Sequence, residues 1–252
     1  MFGSSRELHA KLDALSKSQA VAEFNLDGTI ITANENFLGA LGYKLDEIQG
    51  KHHSLFVDPA TRESAEYREF WGSLGRGQFQ AGEYKRVAKG GNPVWIQASY
   101  NPLLGSNGKP FKVVMFAADV TAEKIRSADY ESQIDAIHKT QAVIEFNLDG
   151  TIVTANENFL KTLGYSLPEI EHKHHSMFMP QAMRDSSEYR KFWDRLRSGE
   201  YQAGDFERVG KGGKRIWLQA SYNPIMDAGG KLCKVVKFAT DITAPADRKS
   251  VV

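Results

Sequence analysis

The sequence predicts an α+β protein built from two copies of one small domain, each an antiparallel five-stranded sheet with small helices on one face and each preceded by an amphipathic helix. The first observation behind this expectation is an internal repeat. "VAEFNLDGTIITANENFLGALGY" from Val21 returns as "VIEFNLDGTIVTANENFLKTLGY" from Val143, and "VWIQASYNPL" from Val94 returns as "IWLQASYNPI" from Ile216, always 122 residues later. All four tryptophans fall in register, Trp71 with Trp193 and Trp95 with Trp217. A period this long is that of a whole domain, not of a solenoid repeat. The second observation is the order of patterns inside a copy, which reads strand, strand, small helices, a longer helix and then three strands. Together they set the expected boundaries: helix 1–18, first domain 19–121, linker helix 122–140, second domain 141–243 and a tail 244–252.

Each element has a local reason. Leu8, Leu12 and Leu15 share one helical face before the first copy, and Tyr130, Ile134 and Ile137 take the equivalent places before the second. So narrow a stripe either covers the following domain or pairs with a second chain. Asp27-Gly28 between "VAEFNL" and "TIITA" signals a two-residue hairpin turn. Asn34 suits an N-cap for "ENFLGAL", and Gly42 a left-handed C-cap. Ser166 and Glu169 make a capping box whose serine is Lys44 in the first copy. Tyr67, Phe70, Trp71 and Leu74 lie at helical spacing in "SAEYREFWGSLGRG", which closes at Gly75 or Gly77. The strands "FQAGEYKRV", "PVWIQASYNPL" and "FKVVMFAADV" follow, separated by glycine turns. In the last of them Met115 is exchanged for Lys237 between copies while Val114 and Phe116 recur as Val236 and Phe238, which assigns the even-numbered face to the core. Trp95 and Trp217 are expected to be buried.

Composition narrows the function classes. With 41% hydrophobic and 25% charged residues the chain is an ordinary globular one, and 32 basic against 31 acidic side chains give no net field for nucleic acid or anionic lipid. Cys233 is the single cysteine, which excludes an internal disulfide and a cysteine zinc cluster. No apolar run has signal-peptide or membrane-span length, so a cytoplasmic chain is expected. "KGG" at Lys89 and Lys211 lies between strands and lacks the phosphate-loop pattern, and no nucleophile recurs with a base, so no catalysis is expected.

The Asp-Gly hairpin, the small helices, three long strands and a terminal "DVT" or "DIT" resemble the PAS sensory domain across both copies. "EFNLDGTI", "TANENFL", "QASYNP" and "KVV" more narrowly resemble the tandem PAS input regions of bacterial methyl-accepting chemotaxis transducers of the biofilm-dispersion and soluble aerotaxis types. That resemblance implies a sensory input module for oxygen or redox state. It also implies a homodimer through the N-terminal and linker helices, a methyl-accepting signalling domain beyond this chain, and a chemotaxis kinase with its coupling protein as downstream partners. Asp119 with Thr121, and Asp241 with Thr243, stand where PAS domains hand over to an output helix.

The resemblance further implies a pocket between sheet and helices that holds heme, flavin, a metabolite or nothing. Five of the seven histidines lie in "GKHHSLFV" from Gly50 and "HKHHSMFM" from His172. His53 and His175 are the candidate heme ligands, with Phe56 and Phe178 as an apolar wall on the same side of one turn, and His52 and His174 facing outward. Competing with this is a structural role in which these imidazoles cap a helix or satisfy a loop. FAD is the second cofactor candidate, lined by Trp71, Trp193 and Asn36 or Asn158, although the Arg-His-Pro-Asp run of flavin-binding aerotaxis receptors is missing. His172, His174 and His175 also form a minor candidate metal cluster. Dimerisation or docking by cofactor-free domains is the alternative function.

Overall fold

The computed structural model describes residues 2–243, and the side chains of residues 2–5 and of Leu8 lie outside the description. The tail expected at 244–252 is likewise outside the described residues. The chain divides into two compact units, Met1–Asp129 and Tyr130–Val252.

In the first unit helix α1 (Phe2–Ser18) leads into strands β1 (Ala20–Phe24) and β2 (Ile30–Ala33). Helices α2 (Glu35–Leu41) and α3 (Leu45–Ile48), a 3₁₀ turn (His53–Phe56), and helices α4 (Pro59–Arg62) and α5 (Ala65–Gly75) come next. Strands β3 (Gln80–Val87), β4 (Pro93–Leu104) and β5 (Pro110–Asp119) complete an antiparallel sheet of order β2-β1-β5-β4-β3, and helix α6 (Thr121–Thr140) follows. The second unit repeats this plan with β6 (Ala142–Phe146), β7 (Ile152–Ala155), α7 (Glu157–Leu163), α8 (Leu167–Ile170), a 3₁₀ turn (His175–Phe178) and α9 (Ser187–Arg197). Its sheet is closed by β8 (Gln202–Val209), β9 (Arg215–Met226) and β10 (Leu232–Asp241), in the order β7-β6-β10-β9-β8.

The caps follow the sequence. Asn34 Oδ1 accepts from Phe37 N–H, Gly42 closes α2 at φ 73°, and Glu169 accepts from both the backbone and the hydroxyl of Ser166. The hairpin is one residue longer than the two-residue turn expected. Gly28 N–H donates to Asn25 and Asn25 N–H to Thr29, enclosing Leu26, Asp27 and Gly28 in a three-residue loop with Gly28 at φ 87°. A Cβ on Gly28 would stand 2.6 Å from His52 Nε2, so a side chain is barred by contact as well as by conformation.

Two expectations about faces are overturned. On β5 and β10 the odd-numbered face is the core: Val113, Met115 and Ala117, and Val235, Lys237 and Ala239, are all buried. Met115 pairs with Tyr100 and Ala117 with Ala98, both inward residues of β4, and this register decides the parity that the Met-to-Lys exchange had suggested the other way. On β4 the inward residues are Val94, Ile96, Ala98 and Tyr100, so Trp95 lies on the opposite face, and its counterpart Trp217 is 42% exposed. The stripes before each domain also do not pack on their own unit: Leu12, Leu15, Tyr130, Ile134 and Ile137 are exposed.

A buried lysine without a hydrogen-bonded acid costs stability, whereas methionine at the matched position does not. Lys237→Met is therefore expected to stabilise the second domain by about 2 kcal/mol, and Met115→Lys to destabilise the first by a similar amount. Domain-resolved hydrogen exchange under unfolding conditions checks both; a destabilising Lys237→Met contradicts the assignment.

Candidate functional site

The centre of each domain is an imidazole. The bridge between Thr29 and His52 ties the 3₁₀ turn to the hairpin, and His53 N–H donates to the Gly28 carbonyl at 2.8 Å. This anchoring sends His52 to the surface, where Nδ1 accepts from Ser54 N–H, and sends His53 inward, where it is 1% exposed. In the second copy His174 caps the turn in the same way and its Nε2 donates to the Asp149 carbonyl, while His175 is fully buried.

Both ring nitrogens of the buried histidine are engaged. His53 Nδ1 lies 2.9 Å from the Tyr67 hydroxyl on α5, and Nε2 lies 3.1 Å from the Tyr100 hydroxyl on β4. The Arg86 guanidinium on β3, itself buried, donates to Tyr100 at 3.1 Å. A neutral imidazole offers one donor and one acceptor, so the complete assignment has Tyr100 donating to Nε2 and Nδ1–H donating to Tyr67. His175 repeats the arrangement with Tyr189 at 2.8 Å, Tyr222 at 3.0 Å and Arg208 donating to Tyr222 at 2.8 Å. Burial first, and then the neighbouring arginine, push both imidazoles well below their ordinary pKa. Burial raises Tyr67, Tyr189 and Tyr222 in turn, Tyr189 to about 12. Both buried imidazoles and these three tyrosines are thus neutral near pH 7.

Phe24, Phe56, Tyr67, Phe70, Trp71 and Tyr100 surround His53 with ring centroids 5.4–6.3 Å away. Phe56 and Phe178 do form walls beside the imidazoles, and Trp71 and Trp193 pack edge-on against them. A heme ligand needs a ring nitrogen whose lone pair faces iron and a slot for the porphyrin plate. Here both nitrogens are taken by tyrosines and the ring is enclosed by aromatic neighbours. These residues as arranged do not fit a heme.

Asn36 and Asn158 stand outside the aromatic cluster. The Asn36 carboxamide donates to Ser16 and Gln19 carbonyls at the end of α1, and that of Asn158 to His138, Lys139 and Gln141 at the end of α6. His172, exposed and at φ 63° where the first copy has Gly50, is separated by burial from His175, and no group of metal-ligating side chains occurs among the described residues.

Asp119 Oδ1 accepts from both the backbone N–H and the hydroxyl of Thr121, at 2.9 and 2.5 Å, and so starts α6. Thr121 Oγ1 accepts from Trp95 N–H at 2.9 Å, and Lys124 on the first turn of α6 pairs with Glu83 on β3. Asp241, Thr243 and Trp217 repeat the two bonds donated by backbone N–H groups. Beside the hub of the first domain, a groove of about 400 Å³ between α5 and β3 is lined by Tyr67, Phe70, Gln80, Tyr84 and Arg86. Arg86 Nε there is buried without a partner.

The tyrosines and arginines of the hub escaped sequence reasoning, although Tyr67, Arg86 and Tyr100 all recur 122 residues on as Tyr189, Arg208 and Tyr222. That recurrence was the available signal.

The domain this architecture defines is the PAS domain. The PAS fold family matches residues 30–117 and the PAS domain family matches residues 140–244, and the chain belongs to this family, carrying two copies. It is 46% identical to the biofilm dispersion protein BdlA of Pseudomonas aeruginosa over 230 residues, 91% of this chain and 55% of that protein. It is 28% identical to the aerotaxis receptor of Escherichia coli over 105 residues, 42% of this chain and 20% of that protein. It is also 22% identical to the oxygen sensor protein DosP of Escherichia coli over 216 residues, 80% of this chain and 26% of that protein. The chain spans about half the length of BdlA and less of the other two. It is a PAS sensory module related to these proteins. No helix among the described residues is long and apolar enough to cross a membrane.

Unfolding frees the buried imidazoles to bind protons below about pH 6.5, which the folded hub resists. The unfolded state then holds more protons, so stability is complete above that pH and falls as pH drops toward the lowered folded value. Each histidine is expected to cost about 1 kcal/mol of stability between pH 6.5 and 5.5. Denaturant titrations should show this slope, and His53→Gln with His175→Gln should flatten it; an unchanged slope contradicts a neutral buried hub.

Proposed function

We propose that this chain is the non-catalytic input region of a cytoplasmic chemotaxis-type receptor, in which a signal at the His–Tyr–Tyr–Arg hub is passed to the following helix through the Asp-x-Thr junction. The observation that carries this reading is that hub and junction share two strands. β4 holds Tyr100 in the hub and Trp95 at the junction, and β3 holds Arg86 in the hub and Glu83 in the ion pair with Lys124. A small molecule in the groove beside Arg86 would compete for the guanidinium that Tyr100 now holds. Displacement of Arg86 would alter the donors on Tyr100 and so favour one of two strand arrangements over the other. The far end of α6 is held by Asn156 and Asn158 of the second domain.

Oxygen or redox sensing through heme or FAD is the reading the resemblance favours. The closed hub supports instead a cofactor-free sensor, because heme ligation would first have to break the Tyr67 or Tyr100 bond. A chemotaxis kinase and its coupling protein are the downstream partners in this reading, acting through a methyl-accepting domain.

Tyr100→Phe removes the hub hydroxyl while leaving the ring, and hydrogen exchange then reads the junction. Amides of Thr121–Lys124 are expected to exchange several-fold faster than in the unaltered chain, as they should in Thr121→Val. Unchanged exchange there, with Thr121→Val responding, would overturn the coupling.

The exposed stripes on α1 and α6 support a homodimer formed through these helices, since leucines and isoleucines repeated on one helical face and left in water favour a second copy. Leu12→Glu with Leu15→Glu is expected to halve the mass seen by light scattering; an unchanged mass removes α1 from the interface.

A further inference from the structure

The second domain contains a group the hub does not use. Lys237 points into the core from the middle of β10, only 2% exposed, with its Nζ 4.8 Å above the Tyr222 ring and 5.9 Å above that of Phe159. Among the described residues no acid is buried with it: the buried polar residues of this domain are His175, Arg208 and Lys237. Arg208 shares the Tyr222 ring, with its guanidinium 5.9 Å from the centroid, and its buried Nε has no hydrogen-bond partner. Two basic groups thus share one aromatic ring in the core of this domain, and one of them keeps an unused buried donor. The first domain keeps the arginine, the histidine and both tyrosines but places Met115 at the matched position, so the lysine is not required by the fold.

We propose that Lys237 is a carbamylation site, at which the side-chain amine adds carbon dioxide and the resulting carbamate is held by Arg208. The nitrogen lone pair attacks the carbon of CO₂, a C–N bond forms as one C=O π pair moves onto oxygen, and the N–H proton leaves to solvent buffer. The product is R–NH–COO⁻, one negative charge where the core has an uncompensated guanidinium. Three features favour this chemistry over capture of a larger carbonyl compound. Burial, followed by repulsion from Arg208, holds the ammonium well below its ordinary pKa, which leaves the free amine that attack requires. CO₂ is small and apolar enough to enter a core that encloses the side chain. An imine would leave the charge of Arg208 unanswered, whereas a carbamate offers it a hydrogen-bonded acceptor. The proposal goes beyond the sensory reading of the hub and stands apart from whether the junction couples to it.

Chemical trapping tests it on the unmodified chain. Protein equilibrated at pH 7 with ¹³C-bicarbonate is treated with triethyloxonium, which esterifies carbamates, then digested and read by mass spectrometry. The labelled ethyl carbamate is expected on the Lys237 peptide, with exposed lysines unlabelled because they are protonated at this pH. It should be absent from Lys237→Met, which copies the first domain, and several-fold weaker in Arg208→Gln. No adduct on Lys237, or adducts confined to exposed lysines, would overturn the proposal, and since that result is read on the native chain it does not depend on either variant folding.

Discussion

An imidazole sealed in a protein core must stay neutral and must find a partner for each nitrogen, and each of these domains is arranged around meeting that demand. His53 takes its partners from α5 and β4, and β3 adds Arg86 behind one of them. The helical layer and strands β3 and β4 are thereby joined at one polar point inside an otherwise apolar core. The same network recurs residue for residue in the second domain. Within such low-dielectric surroundings the bonds of a network strengthen one another, and loss of one is felt by the others. Along β4 the hub residue Tyr100 and the junction residue Trp95 stand five residues apart.

The paired histidines have separate duties. His52 packs against Gly28 and caps the 3₁₀ turn, which fixes the backbone from which His53 enters the core. The glycine of the hairpin is therefore set by a side chain more than 20 residues away as well as by its own turn. A repeated His-His step is the local solution to carrying one imidazole outward to hold the turn and one inward to hold the core.

Much of the fold was legible because it rests on local chemistry. Asn34, Gly42 and the Ser166–Glu169 box act within four residues, and the succession of elements along the chain follows from the repeat and the glycine turns. What was not legible depends on partners far along the chain. Trp95 is large and apolar, which suggested burial, yet strand alternation with Val94, Ile96 and Ala98 places it outward, where Lys124 lies over its ring. Lys237 looked like a surface residue because lysine rarely enters a core; only its register opposite Tyr222 shows that it does. At the site, His53 and Phe56 were readable from their spacing, but the tyrosines that occupy the imidazole come from α5 and β4, and no short-range pattern links them. Asn36 was misplaced for the same reason, its carboxamide being used on the end of α1.

Nitrogen-15 NMR of the histidine side chains tests the central claim most directly. For His53 and His175 the account predicts neutral rings, each with one protonated and one hydrogen-bonded bare nitrogen, unchanged from pH 8 to pH 5.5 and unaltered by added hemin. Rings that titrate near the ordinary histidine value of about 6.5, or nitrogens shifted by the iron of hemin, would contradict a closed hub.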